Sequence, residues 1–358
     1  MRFSLARAAS TRGIERARPL MPQPPTPIQT TMREAFPNPL ADDSATDLRL
    51  DDPSLVVLSS GDTTLVVAPE VGGSIAAYFD VARDGSLPRV LHWLRPATRD
   101  ALEARDPLRT ASFPLLPYCN RIRDARFAFD GRTIDLAGDG NGYAHALHGH
   151  AWRRSWRVGA RTETSVELHF EHVPDRDARG DWPFRYRASQ RIELLGDALR
   201  VTLDVQNLSD SAMPFGMGHH PYYPRPSNTV ITAQVEAMWH ADPAVLPTHL
   251  GPHAAVDALK NGMSANAFDL DNNFSGWAHS ATIAWPDEKR SVTMTADAPF
   301  DHMVVFAPAN DVQLCVEPVT NTTDCFNASE ATREHAGFRV LQAGEAISAE
   351  ISWQPQRD

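Results

Sequence analysis

The sequence predicts an all-β fold, a large antiparallel β-sandwich with few short helices. Three observations carry this expectation. Strand-length segments alternate apolar and polar residues, two-residue turn signals join neighbouring segments into hairpins, and no strand–helix–strand rhythm runs along the chain.

In chain order, the first forty residues stand apart. They carry Arg2, Arg7, Arg12, Arg16, Arg18 and Arg33 against only Glu15 and Glu34, and MPQPPTPIQT (21–30) is proline-rich without apolar periodicity. Such a composition cannot bury enough surface to order itself. A disordered tail over 1–47 is therefore expected, or a start at Met21 or Met32. The Arg-rich, acid-poor beginning also imitates an organelle transit peptide, but it lacks the continuous apolar stretch of a secretory signal.

From Leu48 onward, strand follows strand. In LRVTLDV, Leu199, Val201, Leu203 and Val205 share one face while Arg200, Thr202 and Asp204 share the other. Gly196-Asp197 joins this segment to RIELL, and Asp130-Gly131 joins ARFAF to RTIDL, both as two-residue hairpins. A third hairpin is expected where Ala343-Gly344-Glu345 separates FRVLQ from AISAEISW. Further strands are expected over Leu65–Ala68, Val166–His172, Val230–Trp239, Ser291–Thr295, Met303–Phe306 and Val312–Val316. Helices are expected only over Thr98–Arg105, with Thr98 as cap, and Ser329–His335. No internal repeat or linker interrupts 48–358, so one domain is expected there.

Composition narrows the function classes. Hydrophobic residues make up 42% and charged residues 22% of the 358, enough apolar material for a sizeable core. No apolar run approaches the ~20 residues of a membrane helix, so no membrane association is expected. A net charge of −11 argues against nucleic acid and anionic membranes as partners. Cys119, Cys315 and Cys325 form no disulfide framework and no CxxC pair, which points to a reducing, cytoplasmic compartment and three small buried side chains.

Four segments could carry chemistry. His145, His148 and His150 lie within six positions and invite a metal reading. Arg153 and Arg154 follow where a carboxylate ligand would be wanted, and two arginines repel a cation, so no metal is expected. In GHHPYY (218–223), the proline pushes His220 toward an extended conformation, which can aim its ring from a strand end; alone, the segment reads as a turn with two exposed histidines. In CVEPVTN, Glu317 closes an apolar strand, where burial would raise its pKa toward that of a general base; alone, it is equally a strand-end glutamate facing water. LDNNFSGW (270–277) is turn-rich and ends in an aromatic, and alone it reads as a surface loop.

Together, in the order PLLPYCNRIRDARFAFDGRTIDL, ALHGHAW, GHHPYY, LDNNFSGW, CVEPVTN, these segments resemble the aldose 1-epimerase (galactose mutarotase) family over roughly 65–340. The resemblance implies a β-sandwich that binds a small sugar. It places the general acid on His220, the general base on Glu317, and substrate contacts on Asn120, Arg121, His148 and Asp271. Trp277 or Trp152 could pack against an apolar sugar face, and either is equally a core residue. No redox step or leaving group is involved, so no cofactor is implied. Two positions depart from the family pattern: His150 stands where a second glycine is common, and His219 where an asparagine is common. A hexose-6-phosphate epimerase remains open because Arg121, Arg123 and Arg126 could meet a phosphate. A non-catalytic carbohydrate-binding protein and a lyase or hydrolase on a similar sandwich also remain open, as does the choice between monomer and homodimer.

Overall fold

The computed structural model describes residues 48–83, 88–137, 143–175 and 180–357; the expected tail, 1–47, lies outside them. Two large antiparallel sheets dominate. The nine-stranded sheet runs Arg157–Arg161, Ser165–His172, Tyr186–Leu195, Ala198–Asn207, Ala346–Arg357, Arg290–Ala296, Ser280–Trp285, Val230–Ala233, Met263–Ser264. The seven-stranded sheet runs Pro247–Gly251, Ala237–Ala241, Leu270–Ser275, His302–Ala307, Cys315–Val319, Gly218–His219, Pro114–Leu115. A four-stranded meander, Val56–Leu94, lies at the beginning of the described chain.

The predicted alternation decides which faces meet. Leu199, Val201, Leu203 and Val205 are all buried, and they join the main core with Ile351, Trp353, Val292 and Met294 from neighbouring strands of the same sheet. The seven-stranded sheet contributes Leu270, Phe274, Met303, Val305 and Val316 to this core. Fully burying one such aliphatic or aromatic side chain contributes roughly 1.5–3 kcal/mol. The opposite face of the seven-stranded sheet is also covered. Val304, Phe306, Cys315 and Val319 form a second cluster there with Leu108, Phe113, Leu115, Leu147, Trp152 and Tyr222. Strands buried on both faces read as unbroken apolar runs, as His302–Ala307 does.

Both two-residue hairpins form as expected. Leu195 pairs with Ala198 around Gly196, whose φ of +67° sits at the first central position, and Phe129 pairs with Arg132 around Asp130 and Gly131, both at positive φ. The third does not. Arg339–Leu341 pairs with Met213–Phe215, whereas Ala346–Arg357 lies between Ala198–Asn207 and Arg290–Ala296. The turn between them carries the chain from one sheet to another, and alternation dictates the face of a strand rather than its partner. Val230–Trp239 is likewise two strands in different sheets, Val230–Ala233 and Ala237–Ala241. The strand expected at Val312 begins only at Cys315, because the Asp311 carboxylate accepts from the Val312 and Gln313 N–H groups and holds a turn there.

The helix at Arg99–Glu103 follows Thr98, whose hydroxyl bonds Asp100 rather than capping the backbone. Ser329–His335 is a series of turns instead of a helix; the Ser329 and Thr332 hydroxyls bond each other and Thr332 bonds back to the Ser329 carbonyl, offering local alternatives to a helical ladder. The second helix, Ala254–Asn261, has no conventional cap residue, which hides it in the sequence: His253 Nδ1 accepts from Ala255 N–H at 3.1 Å, and Gly262 ends it in the left-handed region.

Candidate active site

Strand register assembles one polar row on the covered face of the seven-stranded sheet. Asp271 pairs with Phe306 and Phe306 with Cys315; Asn273 pairs with Val304 and Val304 with Glu317. Directly paired residues, and residues two apart along a strand, share a face. Asp271, Asn273, Cys315 and Glu317 therefore all project to the same side.

His220 arrives from the segment beside this strand. Its N–H donates to the Phe113 carbonyl at 2.9 Å, and Tyr222 N–H donates to the Ala111 carbonyl at 2.8 Å. The ring is held by stacking. Phe113 lies 4.8 Å away and Tyr222 4.7 Å away, both near-parallel to the imidazole, and these two rings are 6.4 Å from each other. Trp152 stacks on Phe113 at 5.2 Å, and the Arg95 guanidinium lies 3.8 Å over Tyr222. Arg95 is fixed in turn by donating to the Leu108 and Thr110 carbonyls at 2.9 and 2.8 Å. His220 Nε2 lies 3.3 Å from Glu317 Oε1, and both residues are buried. His220 Nδ1 and Glu317 Oε2 have no hydrogen-bond partner among the described residues.

The Asn120–Arg121 and His148–Gly149 segments brace each other. His148 N–H donates to the Asn120 carbonyl at 2.9 Å, and Asn120 N–H donates to His148 Nδ1 at 3.0 Å. Because Nδ1 accepts, the neutral His148 ring carries its proton on Nε2. Asn120 and His148 both lie at φ near +60°, a left-handed conformation that costs roughly 1–2 kcal/mol for a residue with a Cβ. Such strain persists where the surroundings impose it and is concentrated at functional sites. Gly149 is obligatory: at φ +68°, an added Cβ would sit 2.0 Å from the Leu116 carbonyl oxygen. The Asn120 amide oxygen accepts from Arg121 N–H and Nη1 at 2.8 and 3.1 Å, and Arg121 Nη2 donates to Asp271 Oδ2 at 3.3 Å. These two side chains keep partial solvent contact, 11% and 22% exposed, and mark the wetter side of the group.

Burial sets the electrostatics. It raises Glu317 well above the ordinary carboxyl value, with the Asp271 charge adding to the effect and Arg121 opposing it. It pushes His220 down to about 3, with Arg95 reinforcing. Mutual attraction within the pair works against both shifts, but burial of both groups outweighs it. Burial therefore favours the neutral form of the pair, in which carboxyl and imidazole hold one proton between them. Burial likewise holds His148 well below its usual range, helped by the neighbouring His220, Arg121 and Arg153 charges.

The structure thus gathers His220, Glu317, Asn120, Arg121, His148 and Asp271. It does not bring Trp277 to them. That indole is buried in the main core, stacked on His279 at 5.7 Å, and donates to the Ser280 carbonyl at 2.9 Å. The turn after Ser275 returns it to the sandwich interior, and Trp152 is the indole beside His148 and Phe113. The three clustered histidines diverge: His145 Nδ1 accepts from Asp124 N–H, His148 from Asn120 N–H, and His150 meets Tyr186 at 3.2 Å with its ring tilted against His172 at 4.3 Å. His219 faces inward, bonded to Ser112 and Gln190, so neither departure from the family pattern bonds to the His220–Glu317 pair. Sequence reasoning missed Phe113 and Tyr222, which stack on His220, and Arg95, which lies over Tyr222; folding alone brings these segments together. It also missed Asn273, which period-2 counting from Asp271 would have placed on the same face. Asn273 Oδ1 accepts twice from Thr323 at 2.9 Å, while its Nδ2 has no hydrogen-bond partner among the described residues.

Comparison with known proteins adds the following. The aldose 1-epimerase family model matches residues 54–354. The uncharacterized protein YphB of Escherichia coli K12 is 30% identical over 267 residues, spanning 72% of this chain and 87% of YphB. The crystal structure of an Escherichia coli K12 protein described as a candidate aldose 1-epimerase aligns with a TM-score of 0.72 and 27% identity, covering 85% of this chain and 99% of that one. A galactose mutarotase-like protein from Clostridium acetobutylicum shares the fold, with a TM-score of 0.73, 20% identity, and coverage of 85% and 95%.

Proposed function

The chain belongs to the aldose 1-epimerase family, and on that premise we propose that it interconverts the α and β anomers of a free aldose, with Glu317 and His220 moving the protons. The observation that carries this reading is the buried 3.3 Å contact between a carboxyl and an imidazole, each with a polar atom left unpaired. An unsatisfied buried polar group costs about 1–3 kcal/mol, so two in contact call for a functional reason.

Ring opening removes the proton from the C1 hydroxyl and delivers one to the ring oxygen. Glu317 takes the first and His220 gives the second; the C1–O5 bond breaks as C1=O1 forms. Rotation about C1–C2 and reversal of both transfers close the ring on the other face. The pair holds one proton throughout, as carboxylate and imidazolium with the closed ring, and as carboxyl and neutral imidazole with the open aldehyde. Burial favours the neutral form, which is the form that accompanies the opened sugar. Each positioned proton-transfer group is worth typically about 10²–10⁴-fold. Arg121, Asp271 and the His148 Nε2–H would orient the sugar hydroxyls, and Asn120 holds both Arg121 and His148 in place.

A free aldose is favoured over a sugar phosphate because each candidate phosphate ligand already has a carboxylate partner. Arg121 is paired with Asp271 at 3.3 Å, Arg123 with Asp324 at 3.2 Å, and Arg126 with Asp135 at 2.7 Å. A phosphate would have to displace a carboxylate to gain any of them. Polarimetry on freshly dissolved α-galactose tests the reading: the protein should speed the decay of rotation toward equilibrium. A decay unchanged by folded protein, on this and other free aldoses, would withdraw it.

A further inference from the structure

The geometry points to a second property of the same pocket: with Cys315 as third ligand, the His220–Glu317 pair is a binding site for a thiophilic divalent cation such as Zn²⁺, whose binding stops anomer exchange. The inhibitory consequence rests on the acid–base roles given to the pair, whereas the binding itself does not.

Among the described residues, His220, Cys315 and Glu317 are the one group of three metal-ligating side chains that converges, with ligand atoms all within 4.8 Å of one another. The fold makes this convergence unavoidable. Cys315 and Glu317 are two apart on one strand and so share a face, and a backbone bridge between Tyr222 and Cys315 lays the His220 segment alongside them. Cys315 is a free, fully buried thiol that proton transfer does not use. Among the described residues, Glu317 Oε2 and His220 Nδ1 have no competing hydrogen-bond partner.

Imidazole, thiolate and carboxylate are the standard ligand types of Zn²⁺, with bonds of about 2.0–2.3 Å, and three protein ligands leave a fourth position for water. His220 and Glu317, at 3.3 Å, already have the separation of two ligands on one tetrahedral ion; side-chain rotation of the thiol completes the set. Binding replaces two protons, one from the thiol and one shared by the pair, with one doubly charged ion. The resulting Zn²⁺–thiolate–carboxylate–imidazole unit carries no net charge, which suits so buried a site. Mg²⁺ and Ca²⁺, which seek oxygen ligands and higher coordination numbers, do not match the set. Once the ion takes the lone pairs of Glu317 and His220, neither can accept a sugar proton.

The full chain is titrated with Co²⁺, which reports thiolate ligation through a sulfur-to-metal charge-transfer band, and in parallel with Zn²⁺ while anomer exchange is followed. Wild-type protein should show the band, Cys119→Ser and Cys325→Ser should retain it, and Cys315→Ser should lose it. Zn²⁺ should inhibit reversibly, with removal by EDTA, and Mg²⁺ should not. Relative to its own uninhibited rate, Cys315→Ser should need roughly ten- to a hundred-fold more Zn²⁺. No band in the wild type, a band that survives in Cys315→Ser, or Zn²⁺ inhibition without a band would each overturn the site. A band in a protein that never exchanges anomers would uphold the site and remove the catalytic reading instead.

Discussion

Replacing Glu317 with Gln separates catalysis from folding more cleanly than any other single change. The amide has the shape of the carboxyl, so packing at the 3.3 Å contact with His220 Nε2 is retained. What is lost is the ability to accept a proton. A positioned base contributes about 10²–10⁴-fold, or about 2.7–5.4 kcal/mol of barrier, so kcat/KM should fall by that factor. Stability should move the other way or not at all. Burial raises the folded-state pKa of Glu317, so above the ordinary carboxyl pKa the unfolded chain gains by ionising while the folded chain does not. That penalty grows with pH until the folded pKa is reached, and the amide removes it. The assay is anomer exchange by NMR alongside thermal unfolding at neutral pH, with the uncatalysed rate subtracted. A variant within tenfold of wild type would refute the base assignment. A variant that loses activity together with a large fall in Tm would make Glu317 a structural residue and refute the energetic reasoning.

Three further outcomes are expected. Asp271→Ala should raise KM more than it lowers kcat, because Asp271 and its partner Arg121 orient hydroxyls; steady-state kinetics showing the reverse would give Asp271 a direct part in proton transfer. The acid limb of the kcat/KM profile should fall only toward about pH 3 and the alkaline limb should lie well above the ordinary carboxyl value, since a second proton must charge the buried His220 and loss of the last must charge the buried Glu317, and burial opposes both. A narrow bell bounded by ordinary carboxyl and imidazole values would contradict this. Gly149→Ala should cost about 3 kcal/mol in denaturant unfolding, combining left-handed strain with a Cβ driven into the Leu116 carbonyl, and a loss under about 1 kcal/mol would show that the loop yields easily.

Much of this was legible in the chain because it depends on local pattern. The period-2 run from Leu199 to Val205 placed its apolar side chains in the core, and the turn residues at Gly196 and Asp130-Gly131 closed their hairpins. Pro221 and Pro318 mark the extended segments that carry His220 and Glu317. The misses share one physical cause. Which strand lies beside Ala346–Arg357, and which sheet receives Ala237–Ala241, depend on long-range packing that alternation does not encode. The stack of Phe113, His220 and Tyr222 under Arg95 draws on three separated segments, so no local signal announces it. Trp277 lies in the main core for the same reason: an aromatic beside a polar motif says nothing of the direction its ring will take.

The most direct test of the central claim is exchange NMR on galactose, glucose, xylose, arabinose and glucose 6-phosphate, with wild-type protein and with His220→Asn. The account predicts accelerated exchange on at least one free aldose, no dependence on the phosphate, and loss of most of the acceleration in the variant. Acceleration confined to glucose 6-phosphate, or an undiminished rate in His220→Asn, would contradict it.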